Sequence, residues 1–228
     1  MTLQVNQTGV MGSDFLPLFV AVPITSFRAP KAREYLETLP CPPPATVYGM
    51  LLSLVGEEDR CVHEGAQLAI GLTTQLSYSS ILRTIWRIKD KKNGPGIGSN
   101  KRPDFQEILT GLEMLVMVRA GSNEDRSLKE RLEEAFTNPE NVERFGGLSL
   151  GESTYLVDEI RYWRMGDPDS ATMLVKDLNG DLTLPVWVDH VGSKDTVFEH
   201  YSLVTTGLDS IGSEPRYWTT IKSTSRAK

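Results

Sequence analysis

Cysteine is nearly absent from this 228-residue chain: Cys41 and Cys61 are its two, with no CxxC pair. A disulfide scaffold and the common thiolate zinc sites are thereby excluded, and reduced structural thiols are expected. Histidine is almost as scarce. His63, His190 and His200 show neither HxxxH nor HExxH spacing, so no metal site is expected. A positive excess is missing too. Lys and Arg number 24 against 30 Asp and Glu, a net charge of −6. That balance argues against indiscriminate coating of nucleic acid but leaves room for local basic patches. No apolar run approaches the ~20 residues of a membrane span. The opening MTLQVNQTGVMGSD has no charged region followed by an apolar core, so no signal peptide is expected. The expectation is a soluble, cytoplasmic protein with no membrane contact. Its ordinary hydrophobic fraction of 39% predicts a packed core.

What is present is organised around residues 27–57, FRAPKAREYLETLPCPPPATVYGMLLSLVGE. Pro42, Pro43 and Pro44 cannot continue a strand, but proline suits the first turn of a helix, where its missing N–H costs nothing. Val47, Met50, Leu51 and Leu54 recur at helical spacing, and Gly56 is a natural stop. Thr46, Gly49 and Ser53 form a small-residue stripe on a neighbouring face. It is either a site of tight helix-on-sheet packing or a place where another backbone comes close.

Residues 15–27 read as a strand apolar on both faces and therefore inside a sheet. Pro17 and Pro23 each remove a ladder donor, which predicts a bulge or short pairing there. Residues 66–76 are a second strand candidate, and residues 81–89 and 105–119 alternate as two more. Between the last two lies KDKKNGPGIGSNKRP, long for a hairpin loop and hence functional or disordered. Lys89, Lys91, Lys92, Lys101 and Arg102 there, with Arg83 and Arg87 on the strand before, read as a continuous basic stripe. A helix is expected over residues 124–136, capped by Ser122 or Asn123. RFGGLSLGES follows, whose glycines permit backbone N–H groups to face an anion, and then a strand over residues 155–163. Asn179-Gly180 between two apolar runs predicts a two-residue hairpin.

The order fits an α+β fold: a ferredoxin-like β-α-β-β-α-β core with a hairpin insertion and a β-rich C-terminal extension. Residues 1–164 would form the core, with the hairpin at about 83–110, and residues 165–228 the extension. Catalytic patterns fail one by one. Asp177, Asn179 and Asp181 begin like a calcium loop but lack its glycine and closing glutamate. GPGIGS is not a phosphate loop, and Ser149 is not in a GxSxG elbow. Asp189 and His190 are adjacent on a strand, pointing to opposite faces. No catalytic residue, metal ligand or cofactor is assigned.

FRAP followed by LPCPPPATVYGMLLSLVGE resembles the N-terminal signature of the CRISPR-associated Cas five family, within the RAMP superfamily of RNA-binding proteins. RFGGLSLGES followed by YLVDEI is similar to that family's downstream glycine-rich segment. The resemblance implies an RNA-recognition-like ferredoxin core and an extended hairpin called a thumb. It also implies a non-catalytic subunit of a type I CRISPR Cascade surveillance complex. Such a subunit caps the 5′ handle of the guide crRNA and bridges the large subunit to the first guide-coating backbone subunit. Target DNA near the PAM-proximal end is a further candidate contact. The expected RNA contacts are Arg28, Arg33, Thr46, Tyr48, Arg83, Arg87, Lys89, Lys91, Lys92, Lys101, Arg102, Arg144, Gly146 and Gly147. One branch of the family is a metal-independent endoribonuclease that processes precursor crRNA with a tyrosine, a lysine and a histidine. Val55 stands here where that tyrosine would be, and no Lys-His neighbour pair occurs, so binding without cleavage is expected, with that nuclease as the alternative.

Overall fold

The computed structural model describes residues 14–30, 32, 35–86, 88–189 and 196–223. In order come β1 (Phe15–Thr25), β2 (Tyr35–Leu36), α1 (Pro44–Leu54), β3 (Gln67–Leu72), β4 (Ser77–Trp86), β5 (Lys101–Arg119) and α2 (Leu128–Thr137). Then follow β6 (Glu159–Tyr162), β7 (Ser170–Lys176), β8 (Leu182–Trp187), β9 (Val197–Gly207) and β10 (Thr219–Thr220). The strands form one mostly antiparallel sheet in the order β6-β1-β5-β3-β7-β9-β8, with β10 beside β3 and β2 and β4 beside β5. The strands beyond residue 164 thus continue the same sheet, β7 and β10 both joining it through β3.

Period-two alternation in β1 and β5 closes both faces of the sheet. Leu16, Leu18, Val20 and Val22 of β1 and Leu112, Met114, Val116 and Val118 of β5 face one side, where α1, α2 and β8 complete the larger core. Each such side chain contributes about 1.5–3 kcal/mol on burial. Phe19, Leu115 and Met117 face the other side, packed with Trp163, Met173, Tyr217 and Trp218. A strand apolar on both faces belongs in the middle of a sheet, and β1 lies between β6 and β5.

Of the two outcomes expected at Pro17 and Pro23, a bulge or a short pairing, the short pairing occurs. The β1–β5 register runs without a shift from Phe15↔Arg119 to Thr25↔Leu109. The Pro17 carbonyl accepts from the Trp163 N–H, so its side of β1 faces away from β5. The missing proline donors point there, and β6 pairs only Leu18 to Ala21.

Helix α1 begins with Pro44 in its first turn and Pro43 extended before it. It stops at Gly56, whose φ of +67° is the left-handed conformation glycine tolerates best. Arg131 of α2 donates to the Val55 carbonyl at 2.9 Å, placing a cation on that C-terminus. Helix α2 starts later than expected. Its cap is Ser127, which accepts from the Glu130 N–H, not Ser122 or Asn123. The Asn179-Gly180 segment does turn, with the Gly180 N–H donating to Asp177, but the strands it joins do not pair as a hairpin. Both pair with β9 instead.

Strands β3 and β4 run in one direction along the same strand, β5. Leu72 pairs with Met114 and Ser77 with Thr110, so residues 73–76 lie opposite residues 111–113, four against three. This is a bulge. Thr74 fills the gap in the ladder: its hydroxyl donates to the Gly111 carbonyl at 2.7 Å and accepts from the Glu113 N–H at 3.1 Å. Beyond the bulge, β4 and the first half of β5 leave the body of the sheet as an arm. Gly111 has a φ of +73°, and an added Cβ would meet nothing within 4 Å. Gly111→Ala is therefore expected to cost about 1 kcal/mol through backbone strain alone, read as a lower urea midpoint with unchanged slope.

Candidate nucleic-acid interface

The arm carries its cations at the tip. Residues 88–100 fold around Asn100, which is fully enclosed. Its carboxamide oxygen accepts from the Lys89 and Asp90 N–H groups, both at 2.7 Å. Its amide nitrogen donates to the carbonyls of Asp90, Asn93 and Gly94. Asp90 adds bonds to the Lys92 N–H and the Asn93 side chain. Trp86 lies against Gly96, where a Cβ would come within 2.7 Å of the indole. The long loop is thus ordered by one buried amide, a feature composition does not show. Lys89, Lys91, Lys92 and Lys101 are exposed around it. Among the described residues no acid lies within ion-pair distance of these four.

The expected continuous stripe is broken below the tip. Arg83 donates to Glu152 at 2.7 Å, and the same carboxylate accepts from Gln106 at 2.8 Å. The Glu152 hydrogen bond raises the already high pKa of Arg83 further. Arg102 is held by Asp104, with one contact at 2.8 Å. Both arginines are thus paired with acids of the chain itself. Glu152 belongs to the glycine-rich segment, so that segment braces the arm's root. Arg33 and Arg87 lie outside the described residues, as does His190.

Tyr48 is corrected as well. It is 0% exposed, its hydroxyl donates to the Arg60 carbonyl at 2.6 Å, and its ring packs 6.3 Å from Trp187. Burial pushes its phenol well above the ordinary value of 10.0. It presents nothing to RNA. Arg28 is exposed at the bridge to Thr38 beside the arm's root, and one of its nitrogens donates to the Ala32 carbonyl.

Thr46 is half-buried on α1. Gly49 and Ser53 of the same helix line a separate cavity of about 480 Å³ with Arg60, Glu57, Glu143, Arg144 and Phe145. Among the described residues nothing lies within 4 Å of a Cβ built on Gly49, so this position of the small-residue stripe is open. Arg144, Gly146 and Gly147 are exposed at this cavity or next to it, and Phe145 is wholly exposed. Three acids and two arginines line it, so its field is mixed. The expected site residues therefore separate into a lysine-rich arm tip and this cavity.

His63 is enclosed, with Nδ1 2.7 Å from the Arg126 carbonyl and Nε2 4.0 Å from Glu57. Burial is the largest influence and holds its pKa below 6.5. The unfolded chain then takes up the proton first. Stability from this group is complete above about pH 6.5 and is lost as pH falls below it. His63→Asn, which keeps the donor, is expected to lose less stability than the parent between pH 7.5 and 5.5 in urea titrations. Asn100→Ala is expected to speed amide exchange of residues 89–94 more than tenfold on the scale of local opening, with Tm nearly unchanged.

No protein-family model matches the chain. Its fold is similar to a chain of a solved CRISPR RNA-guided surveillance complex, with a TM-score of 0.60 and 13% identity. The superposition covers 85% of this chain and 90% of that one. The sequence is 41% identical over 187 residues to the CRISPR-associated protein Cas5 of Myxococcus xanthus (strain DK1622), covering 81% of this chain and 87% of that protein. At that identity and coverage, the chain belongs to the CRISPR-associated Cas5 family.

Proposed function

We propose that this chain is a non-catalytic subunit of a type I CRISPR Cascade surveillance complex. It holds the 5′ handle of the guide crRNA and bridges the large subunit to the first guide-coating backbone subunit. The observation that carries the RNA role is the arm: a stiff two-stranded projection with Lys89, Lys91, Lys92 and Lys101 exposed at an ordered tip. Lysines in that setting grip phosphates and set register without reading bases. The strand order β6-β1-β5-β3, with α1 and α2 as its crossovers, supports a ferredoxin-like core, and the arm corresponds to its thumb.

Both faces of the central strands β1, β3 and the second half of β5 are covered by side chains of the chain itself. The central strands therefore offer no open face for base stacking of the kind RNA-recognition modules use, and exposed aromatic rings such as Phe105 and Trp86 lie on the arm. Contact must come through the arm, the edges and the loops. Binding without cleavage is the favoured chemistry. General acid–base work on RNA needs a base and an acid that reach substrate, and Tyr48 and His63 are both enclosed and hydrogen-bonded inside the chain.

Reversing Lys89, Lys91, Lys92 and Lys101 to glutamate is expected to weaken handle-RNA binding by more than tenfold. The slope of log affinity against log salt should shrink by about 0.7 for each lost phosphate contact. Unchanged affinity in filter-binding titrations would remove the arm from the interface. Metal-free incubation with precursor crRNA should leave it intact; site-specific cut products lost in Tyr48→Phe or His63→Ala would establish the nuclease reading instead.

A further inference from the structure

The outer edge of β4 is open. All ten residues pair with β5, from Ser77↔Thr110 to Trp86↔Lys101, and no other strand among the described residues pairs with β4. An antiparallel strand turns the N–H and C=O groups of alternate residues to its far side. Edges are normally protected by short length, bulges, prolines or lysines. Strand β4, SYSSILRTIW, has no proline or lysine, and its register with β5 shows no shift. It carries exposed apolar side chains on both faces. Leu82 is 64% and Trp86 69% exposed, with Ile81 opposite. Leu82 pairs with Phe105, and Phe105 with Tyr35 of β2, so an exposed apolar row crosses three strands.

A groove of about 540 Å³ opens at the base of this edge. Tyr78, Thr73 and Thr74 line its arm side, and Thr172, Leu203 and Thr205 of β7 and β9 the other. The Thr73 hydroxyl is enclosed without a hydrogen-bond partner. The groove forms where β7 parts from β3, after only Gly71↔Met173 and Leu72↔Thr172 have paired.

We propose that an extended segment of a partner protein adds to the arm as a strand along β4, with one end seated in this groove. Its side chains alternate, apolar ones lying against Leu82 and Trp86, and its end nearest the lysine tip is acidic. A polypeptide fits because only another strand offers alternating donors and acceptors at the spacing of an open edge. RNA fits poorly. Its phosphates only accept, and the one charged side chain on β4, Arg83, is already engaged by Glu152. Lys89, Lys91 and Lys92 lie beyond the strand's far end and remain available to RNA, while Lys101, opposite Trp86, is the cation nearest the segment's acidic end. One arm then serves protein by its edge and RNA by its tip.

The inference rests on the proposed complex for its partner, and amide exchange read by mass spectrometry separates the two. Three samples are compared: the chain alone, the chain with a 5′-handle guide RNA, and the ribonucleoprotein assembled by co-expression with the other complex subunits. Exchange across residues 77–86 is expected to slow more than tenfold only in the third. Three results overturn the proposal: unchanged exchange in the assembly, equal slowing by RNA alone, or slowing in the chain alone as its concentration rises. The last would make the occupant a second copy. Failure of any protein subunit to assemble overturns the complex as well, whereas lost RNA binding with β4 still protected overturns only the handle role. Leu82→Asp should reduce co-purification of protein subunits about tenfold and leave guide affinity of the isolated chain within about twofold; the reverse pattern contradicts the assignment.

Discussion

Strand β5 is hydrogen-bonded on both sides over its C-terminal half, between β1 and β3, and carries the arm on its N-terminal half. Most of the architecture depends on that sharing. The same residues that place Leu112, Met114, Val116 and Val118 in the main core determine where Lys101 emerges at the tip. Ladder bonds of this kind are individually modest, about 1 kcal/mol net, but many act together, so the arm cannot swing independently of the sheet. A bulge at residues 73–76 breaks the pairing along β5, and Thr74 closes it with two hydrogen bonds of its own. An arm mounted this way enters an interface already ordered, which lowers the entropy lost on binding.

Local chemistry was easily read from the sequence. A run apolar on both faces identified β1, alternation identified β5, and the proline run and Gly56 bounded α1 closely, because those signals act within a few residues. Longer-range competition defeated the rest. Asn179-Gly180 does turn the chain, yet β9 arrives from later in the sequence and takes both strands. Charge counting along residues 83–102 could not show that Glu152, fifty or more positions away, engages Arg83, or that Asp104 engages Arg102. Tyr48 was expected at an RNA-contacting edge from the family resemblance, whereas the packing of Trp187 from β8 encloses it. Asn100 carried a faint signal: an asparagine at the end of a glycine-rich loop is a natural organiser of turns.

In the proposed function, the placement of charge is what lets an acidic protein hold RNA selectively. A net charge of −6 repels nucleic acid from most of the surface. Four lysines on a projecting tip reverse that locally, beyond a root whose arginines are neutralised by Glu152 and Asp104. Membership of the Cas5 family gives this geometry its context. The central strands are covered on both faces, so exposed side chains gather on the arm and at the sheet's margins.

Crosslinking within the assembled ribonucleoprotein tests that account most directly. A guide RNA carrying 4-thiouridine through its 5′ handle would be irradiated, and the modified peptides of this chain identified by mass spectrometry. The account predicts crosslinks within residues 86–102 at the arm tip. Crosslinks confined to the α1 cavity around Arg144 and Phe145, with none on the arm, would contradict it.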